Sequence, residues 1–555
     1  MKNLYPLCAA VVLAIACACN KVPAAEPLVP SEATVNVIPY PNQISIYEGG
    51  FDMSGVSFSV EEALGDRSLK AVEDFAGRLS LVSGKESAVG DASHAAVRFE
   101  FDSGLGKEAY SISSRKKGVT VKASAFNGVF YAIQTIKQLL PAEIFGSTAA
   151  ADSSWTIPQL DIEDAPRFAY RGLLLDCCRH FFPLEEVKKM IDMMSVEKMN
   201  CFQWHLNDDQ GWRIEIKKYP RLTEFGSIRQ GYYLFGEHDP EDTEIYGGFY
   251  TQEQIREVIE YAADRAVTVI PEIDMPGHMQ AALASYPYLG CTGGPYEVKN
   301  TSGAGQYPLC VGRESTFQFV FDVLDEVMDL FPSEYIHVGG DECKKWNWEQ
   351  CEKCQAVIAA QGFEDGKLYT AEEFLQSWFE QRVFQYLADH GRQGIGWEEI
   401  IQGNTITCNP IAVHWYYDIY IGRCANADYR IIRADNRTSY FDYYNSPDTE
   451  KEPLSIGSLV MLSDVYKDNP LVDLPANKRH LLFGVQCCLW SEFIDTGNYL
   501  EYMTEPRLAA KAEVAWTEQD NKDWNRFKEV ISAHRAVFEQ KDFNYCKVQW
   551  GIHGK

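Results

Sequence analysis

Positive charge is scarce in this chain of 555 residues. Lys and Arg number 51 against 79 Asp and Glu, which leaves a formal net charge of −28 at pH 7. A surface this acidic repels phosphate backbones, so we expect no nucleic-acid partner. The same shortage leaves no basic patch for anionic lipids.

Long hydrophobic runs are missing beyond the first twenty residues, where no segment reaches the ~18 apolar residues of a membrane-spanning helix. Lys2 and the short apolar run 7–19 have the order of a secretory signal. Small residues around Cys17 and Cys19 resemble a bacterial lipoprotein signal, in which one of these two cysteines is lipidated. An ordinary cleaved signal is the alternative. We expect a signal over residues 1–19, a tether over 20–34, and export as a periplasmic, outer-membrane or cell-surface lipoprotein. The only membrane contact expected is this N-terminal lipid anchor.

Metal and cofactor signatures are also missing. The chain has 16 cysteines, of which Cys291 and Cys310 flank a Gly-rich loop and are the best candidates for a disulfide after export. Cys351 and Cys354 form one C-x-x-C, but no second C-x-x-C or H-x-x-x-H completes a zinc site, so a local disulfide or free thiols is favoured over a metal. No G-x-G-x-x-G follows the first strand of the larger region, which weakens a dinucleotide fold. We expect no metal and no cofactor.

Two regions of the chain differ in rhythm. Residues 35–165 alternate short strands with turns and include two helical stretches, which predicts a small α+β domain. From Tyr170 onward, a short apolar strand followed by an amphipathic helix recurs seven or eight times over ~350 residues. This predicts an α/β fold, a (β/α)₈ TIM barrel over residues 166–545, preceded by the small domain. The seventh strand is placed within 430–442, and one helix over 502–516 is expected to close the barrel.

Carboxylates, histidines and tryptophans recur where the predicted barrel strands end. Catalytic groups of such barrels lie at this end of the strands. Carboxylates bind sugar hydroxyls and indoles stack on sugar rings, so the pattern favours polyol recognition, and no Ser/His/Asp elbow accompanies it. The candidates are Arg179, Asp208, His278, Asp341, Glu342, Trp397, Trp415, Tyr440, Asp442, Trp490 and Glu492.

The most specific element is Gly339-Gly340-Asp341-Glu342. We expect the glycines to let the backbone approach a ligand closely. Neighbouring strand residues point to opposite faces, so Asp341 and Glu342 cannot easily straddle a glycosidic bond as acid and nucleophile ~5 Å apart. One carboxyl can still be a general acid. The alternative is that the pair caps a helix N-terminus.

The other candidates also have structural interpretations. Trp397 and Trp415 alternatively cap the barrel core, and Arg179 alternatively forms a plain ion pair with Asp208 or Glu492. His278 follows Pro276-Gly277 in a loop, which better suits a functional histidine.

Taken together, these residues resemble glycoside hydrolase family 20, the β-N-acetylhexosaminidases. Several segments occur in the family's order, and the likeness covers about residues 35–540. The matching segments are Tyr170–Asp176, Arg179-His180-Phe181, 204–213, Pro271-Glu272-Ile273-Asp274-Met275-Pro276-Gly277-His278, 337–342 and Leu489-Trp490-Ser491-Glu492.

The resemblance implies an exo-acting enzyme that removes terminal β-linked GlcNAc or GalNAc from glycans by a retaining, substrate-assisted mechanism. Glu342 would be the general acid, kept protonated by burial and nearby negative charge. Asp341 would hold the acetamido N–H, and Tyr440 would donate to the acetamido oxygen that attacks C1. Asp208 and His278 would form a relay toward Glu342. Trp397, Trp415 and Trp490 would line the acetamido pocket, Arg179 and Glu492 would bind outer hydroxyls, and Asp442 would support Tyr440 or the sugar.

Two alternatives stay open at this point. The same chemistry could release a disaccharide, as in a lacto-N-biosidase-like enzyme. The chain could instead be a surface glycan-binding lipoprotein that kept the barrel without turnover, although the intact Asp341-Glu342 pair argues against this. Asn207 and Cys178 depart from the small hydroxyl residues expected at their positions, and neither has an implied catalytic role.

Overall fold

The computed structural model describes residues 28–231 and 244–547. The predicted signal, the lipidation candidates Cys17 and Cys19, and the first part of the tether lie outside these residues. Within the described part of the chain, every helix is too short or too polar to cross a membrane.

The first unit is a seven-stranded sheet covered by two helices. Its strands are β1 (Gln43–Asp52), β2 (Ser57–Val60), β3 (Ala88–Val89), β4 (Val97–Phe101), β5 (Tyr110–Arg115), β6 (Gly118–Ala123) and β7 (Thr156–Asp164), and its helices are α1 (Asp66–Ser83) and α2 (Phe126–Leu139). The spatial order is β1-β7-β5-β6-β4-β2-β3. Alternate residues of β5 and β6 are buried, because successive side chains point to opposite faces and only one face meets the helices.

The second unit is a closed barrel of eight parallel strands. The strands of this unit, in chain order, are β8 (Tyr170–Asp176), β9 (Cys201–His205), β10 (Asn207–Asp208), β11 (Gly211–Trp212), β12 (Ile228–Gln230), β13 (Ile245–Gly247), β14 (Thr268–Glu272), β15 (Tyr335–His337), β16 (Gln393–Trp397), β17 (Ile411–His414), β18 (Arg430–Arg433) and β19 (Leu482–Leu489). The barrel runs β8-β9-β14-β15-β16-β17-β18-β19 and closes by pairing β19 with β8, while β10–β11 and β12–β13 form small antiparallel ribbons.

Helices connect the barrel strands along the outside. They are α3 (Leu184–Val196), α4 (Arg221–Glu224), α5 (Gln252–Ala263), α6 (Gln280–Ser285), α7 (Glu314–Leu330), α8 (Trp346–Glu349), α9 (Glu352–Gln361), α10 (Ala371–Asp389), α11 (Asp418–Asn426), α12 (Asn436–Ser439), α13 (Leu462–Lys467), α14 (Gly497–Thr504), α15 (Arg507–Trp516) and α16 (Trp524–Gln540). Every residue of β8 is buried, as expected for a strand covered on both faces. The predicted TIM barrel behind a smaller α+β domain is confirmed.

One local prediction is wrong. The helix expected over 502–516 is two helices, α14 and α15, because Pro506 has no N–H to donate and interrupts the helical hydrogen bonds. The seventh strand lies within the predicted range 430–442 but ends at Arg433, so Tyr440 and Asp442 lie after α12 rather than on the strand. Tyr440 still reaches the barrel, through an isolated parallel bridge to Cys488 of β19.

The predicted pairing of Cys291 with Cys310 is also wrong, since both are free cysteines in the structure. The chain brings Cys351 and Cys354 to the same place, and the four sulfur atoms lie within 4.8 Å of one another. Spacing along the sequence did not reveal this, because the two pairs come from loops that follow different barrel strands.

The two units meet through buried polar contacts. The Arg171 guanidinium on β8 lies 2.9 Å from the Glu108 carboxylate of the small domain. The Trp516 indole donates to Asp164 of β7 at 3.0 Å. These contacts fix the small domain on the side of the barrel where the strands begin, away from the strand ends that carry the candidate site.

Candidate active site

A cavity of about 170 Å³ opens where the barrel strands end. Clefts for drug-sized ligands run ~300–1,000 Å³, so this cavity is scaled to a smaller ligand such as one sugar ring. Its lining includes most of the residues that the sequence predicted as a site. They are Arg179, Asp341, Glu342, Trp397, Trp415, Tyr440, Asp442, Trp490 and Glu492, joined by Tyr443 and Ile456.

The acidic pair lies in a strained turn just past β15. Gly339 and Gly340 have φ of +68° and +105°, and Glu342 itself has φ +46°, in a region that L residues rarely adopt. A Cβ on Gly339 would lie 1.7 Å from Asp274 Oδ1. Only glycine fits there, but the close approach is to a neighbouring loop of the protein and not to the ligand position we expected.

The alternative role of the pair, capping a helix, is not what the structure has. The next helix, α8, begins at Trp346, and its N-cap is Lys345, without a side-chain cap. Neither Asp341 nor Glu342 contacts the free N–H groups of that helix. The two carboxyls are therefore available to a ligand in the cavity.

The two carboxyls differ in surroundings. The Glu342 side chain is 43% exposed, so the burial expected to keep it protonated is only partial. The Asp341 side chain is 13% exposed, and its Oδ1 is buried without a hydrogen-bond partner among the described residues. A buried unpaired carboxylate oxygen costs ~1–3 kcal/mol or more. A ligand N–H or O–H that donates to this oxygen would remove that cost.

Behind the pair, a chain of buried acids and imidazoles runs into the barrel. His278 Nε2 lies 3.5 Å from Asp341 and 3.8 Å from Glu342, and its Nδ1 lies 3.0 Å from Asp208 Oδ1. Asp208 Oδ2 lies 3.0 Å from His205 Nε2, whose Nδ1 is 2.7 Å from Glu272. The sequence placed Asp208 and His278 in a relay. The extension through His205 to Glu272 was not predicted, because each residue alone suits a buried strand equally well.

These contacts set the charges of the chain. Burial alone would lower the pKa of His278, but Asp208, Asp341 and Asp274 raise it well above its usual value. Burial would raise the pKa of Asp208, yet Arg179, His278 and His205 hold it well below its usual value. His278 is therefore a cation facing both carboxyls.

Arg179, which also lines the cavity, is held by three carboxylates. It lies 3.1 Å from Asp176, 2.9 Å from Asp208 and 3.8 Å from Glu492. Burial alone would lower the pKa of Arg179, but these acids raise it well above its usual value. Arg179 thus forms the ion pairs of the structural interpretation, and its side chain also lines the cavity.

Two acids of the cavity lining, Asp442 and Glu492, have raised pKa values. Burial first, and then the charge of Glu492, raise the pKa of Asp442 well above its normal range. Burial also raises the pKa of Glu492, which Arg179 opposes. Asp442 Oδ1 is buried without a hydrogen-bond partner among the described residues. It therefore offers a second polar contact to a ligand.

Aromatic rings form the remaining walls. Trp397 and Trp490 lie 5.7 Å apart between ring centroids, and Trp415 stacks on Tyr440 at 6.1 Å with an interplanar angle of 17°. Trp397 Nε1 donates to Glu272 at 2.9 Å, which fixes the indole at the end of the hydrogen-bonded chain. Trp397 is only 1% exposed, so it caps the barrel core as well as lining the cavity.

A wider groove of about 490 Å³ adjoins the cavity and shares Glu342 and Trp415 with it. Its other walls include Tyr416 and Tyr417 of the loop that follows β17, and Tyr420 of α11. Sequence analysis did not predict these tyrosines, and their clustering beside Trp415 was the available clue. The arrangement suits one sugar in the cavity and the rest of a glycan in the groove.

Comparison with known families accounts for almost the whole described chain. The model described as glycosyl hydrolase family 20, catalytic domain, matches residues 168–519, and the model described as domain 2 of that family matches residues 34–165. The first covers the barrel and the second covers the small α+β unit.

Named relatives agree with these matches. A beta-hexosaminidase of Porphyromonas gingivalis is 39% identical over 523 residues, and the match covers 92% of this chain but 64% of that protein. This chain therefore spans less than two thirds of that relative. A beta-hexosaminidase of Vibrio furnissii is 33% identical, with coverage of 86% and 76%.

Solved structures resemble the whole arrangement. A beta-N-acetylhexosaminidase from Bacteroides fragilis superposes with a TM-score of 0.78 at 31% identity, covering 94% of this chain and 98% of that chain. A GH20 exo-beta-N-acetylglucosaminidase from Vibrio harveyi, in complex with N-acetylglucosamine, gives a TM-score of 0.80 at 29% identity, covering 94% and 80%.

Proposed function

The chain belongs to glycosyl hydrolase family 20, and from this premise we propose that it is an exo-acting β-N-acetylhexosaminidase. Its substrates are glycans that end in β-linked GlcNAc or GalNAc. The observation that carries the proposal is that one small cavity is lined by two neighbouring carboxyls, by Arg179 and Glu492, and by three indoles.

The reaction begins with proton donation to the leaving oxygen. Glu342 suits this role because it is the cavity carboxyl that also borders the adjoining groove, where the leaving part of the glycan lies. The cationic His278, 3.8 Å from Glu342 Oε2, stabilises the carboxylate that forms when the proton leaves. General acid catalysis of this kind contributes ~10²–10⁴-fold.

The attacking atom is the acetamido oxygen of the substrate itself. Asp341 is adjacent to Glu342 in the chain, which does not suit a separate carboxylate nucleophile on the opposite face of the sugar. Asp341 accepts the acetamido N–H through Oδ1, and Tyr440 donates to the acetamido oxygen. Attack on C1 breaks the bond to the protonated leaving oxygen and forms an oxazolinium. Water then attacks C1 from the opposite face, the one that the leaving group occupied, and breaks the bond to the acetamido oxygen, so the product has retained configuration. Because the nucleophile is part of the substrate, its attack on C1 is intramolecular. Well-oriented intramolecular reactions have effective molarities of up to ~10⁵–10⁸ M.

Specificity for a terminal sugar follows from the closed wall. Arg179 donates hydrogen bonds to outer hydroxyls, and Glu492 and Asp442 accept hydrogen bonds from them; such charge-assisted contacts are the strongest. Among the described residues, the cavity that they line measures about 170 Å³, which suits one sugar ring. Release of a monosaccharide is therefore favoured over release of a disaccharide.

We also propose that the protein is exported and anchored by a lipid on Cys17 or Cys19. The support is the charged start and the apolar run 7–19, which end in small residues and cysteines. Labelling the full chain with a fatty-acid analogue tests this. The variants Cys17→Ser and Cys19→Ser and the double variant are compared with the wild type. Label that persists in all three variants would contradict lipidation at these cysteines.

Product analysis tests the enzymatic proposal. The full chain is incubated with defined oligosaccharides that carry terminal β-GlcNAc or β-GalNAc, and the first product is identified. We expect a β-configured monosaccharide before mutarotation. A disaccharide product, an α-configured first product, or tight GlcNAc binding without any turnover would each contradict the proposal.

A further inference from the structure

Four cysteines from two separate loops meet beside the barrel. Cys291 follows the short 3₁₀ turn Pro287–Leu289, and Cys310 lies at the far side of the same loop. Cys351 is the N-cap residue of α9, and Cys354 lies in the first turn of that helix. The loop with Cys291 and Cys310 follows β14, whereas Cys351 and Cys354 follow β15.

We propose that Cys291, Cys310, Cys351 and Cys354 bind a structural zinc ion. Three sulfur–sulfur distances are given by the structure: 3.9 Å for Cys291–Cys354, 3.7 Å for Cys310–Cys351 and 3.9 Å for Cys310–Cys354. Four sulfurs at ~2.3 Å from a central zinc in tetrahedral geometry are ~3.8 Å apart. A disulfide needs ~2.05 Å between its sulfurs.

The pattern of distances among the four sulfur atoms also distinguishes a metal site from two disulfides. Cys310 lies near both Cys351 and Cys354, and Cys354 lies near both Cys291 and Cys310. A disulfide would bring one pair together and leave the others apart. Four sulfurs that are mutually close without pairing is the arrangement of a tetrahedral metal site.

The surroundings suit thiolates. Cys310 and Cys354 are fully buried, and Cys351 is 9% exposed. The N-terminus of α9, ten residues long, carries partial positive charge that stabilises thiolates at Cys351 and Cys354. This partial charge offsets part of the net negative charge that four thiolates leave on a bound zinc.

Backbone packing brings the two loops together at this place. A Cβ on Gly312 would lie 2.4 Å from the carbonyl carbon of Lys353 and 2.5 Å from the Cys354 nitrogen. Glycine at this position therefore permits the loop after β14 to lie directly against the C-x-x-C turn. The Trp348 indole donates to the Leu309 carbonyl at 2.8 Å, which adds a second link between the same loops.

The proposed zinc holds the two loops that carry the acidic pair and its histidine. Leu309, next to Cys310, donates from its N–H to the Pro276 carbonyl at 2.9 Å, two residues before His278. Asp341 and Glu342 lie on the chain segment that leads to Cys351. With four protein ligands the site has no open position, so its role is structural and not catalytic.

Metal analysis of the full chain tests the proposal. We expect about one zinc ion per chain after purification without chelator, and four sulfur ligands at ~2.3 Å in the X-ray absorption spectrum. Cys351→Ser with Cys354→Ser should remove the zinc. Cys408→Ser is the matched control, since Cys408 is a partly exposed cysteine outside the cluster, and it should keep the zinc.

A second measurement needs no variant that depends on correct folding. The wild-type chain is refolded or expressed with Co²⁺, and its absorption spectrum is recorded. Intense d–d bands with sulfur-to-cobalt charge transfer are expected for a tetrahedral thiolate site. Peptide mapping under non-reducing conditions then tests whether the four cysteines form disulfides instead. Two disulfides among the four cysteines, or zinc far below one per chain with no thiolate–cobalt bands, would overturn the proposal whatever the enzyme activity is.

Discussion

Replacing Glu342 by glutamine removes the proposed acid while keeping the shape of the side chain. The amide cannot release a proton to the leaving oxygen. His278 stays next to the site, with Nε2 3.8 Å from the position of Glu342 Oε2, and its fixed charge still favours negative charge in the transition state. The lost contribution should therefore be that of proton transfer alone, ~10²–10⁴-fold in kcat for a leaving group that needs protonation. At 1.36 kcal/mol per tenfold change this is ~3–5 kcal/mol of activation free energy.

The leaving group separates this effect from damage to the fold. We compare a β-GlcNAc disaccharide or alkyl glycoside with a dinitrophenyl β-GlcNAc, whose leaving group is stable without a proton. The variant should lose ~10²–10⁴-fold on the first and less than ~10-fold on the second. Glu349→Gln is the matched control, because Glu349 is an exposed glutamate on the same loop, in α8, and should change neither rate.

Two results would refute this reasoning. Near-normal turnover of the alkyl glycoside by the Glu342→Gln variant would mean that another group donates the proton. An equal loss on both substrates would mean that Glu342 acts in binding or in holding the strained turn at φ +46°, and not in proton donation.

Further predictions concern the residues around this acid. Asp341→Asn should lower kcat ~10²–10³-fold with a smaller change in KM, because its contact with the acetamido N–H strengthens in the transition state; steady-state kinetics on aryl β-GlcNAc check this, and a change confined to KM would contradict it. Arg179→Met leaves Asp176, Asp208 and Glu492 without their shared cation, so urea unfolding should show a loss of ~3–5 kcal/mol, and an unchanged midpoint would contradict the assignment. Gly339→Ala places a Cβ 1.7 Å from Asp274 Oδ1 and should prevent correct folding, whereas Gly293→Ala, at φ +77° with nothing within 4 Å, should cost only ~1–2 kcal/mol; equal thermal shifts in the two variants would be the wrong outcome. Because the pKa of His278 is raised in the folded state, its charge stabilises the fold fully below the unfolded pKa of ~6.5 and less as pH rises through the folded pKa, while the lowered pKa of Asp208 gives stability that is present above ~3.9. The difference in unfolding free energy between wild type and His278→Asn should therefore be largest between about pH 4 and 6.5 and should shrink above that. A difference that grows above pH 7 would contradict the assignment.

Most of the fold was predictable because local pattern and tertiary environment agree. The strands Val97–Phe101, Tyr170–Asp176 and Leu482–Leu489 coincide with apolar patterns that are visible in the sequence. The first alternates because one face is covered, and the other two are continuous because both faces are covered. The break at Pro506 was also visible in the sequence, since proline cannot continue the helical hydrogen bonds. The prediction of one helix over 502–516 did not take this proline into account.

The site was predictable residue by residue but not in its contacts. A motif identifies Asp341 and Glu342, yet only the fold reveals that Gly339 packs against Asp274 and that Glu342 is 43% exposed. The chain of contacts from His278 to Glu272 joins residues from the ends of two barrel strands, β9 and β14, and the four cysteines join two loops. No spacing along the sequence encodes such distances, because they depend on how the barrel closes.

The central claim is that the acetamido oxygen of the substrate is the nucleophile. The most direct measurement is kcat/KM for a series of aryl β-GlcNAc substrates whose acetyl group carries zero, one, two or three fluorine atoms. Fluorine withdraws electrons from the carbonyl oxygen with little change in shape, so the account predicts a steep fall in rate with each atom, because nucleophilic attack weakens while binding contacts remain. Rates that stay flat across the series, or an aryl β-glucoside cleaved as fast as the unfluorinated substrate, would contradict it.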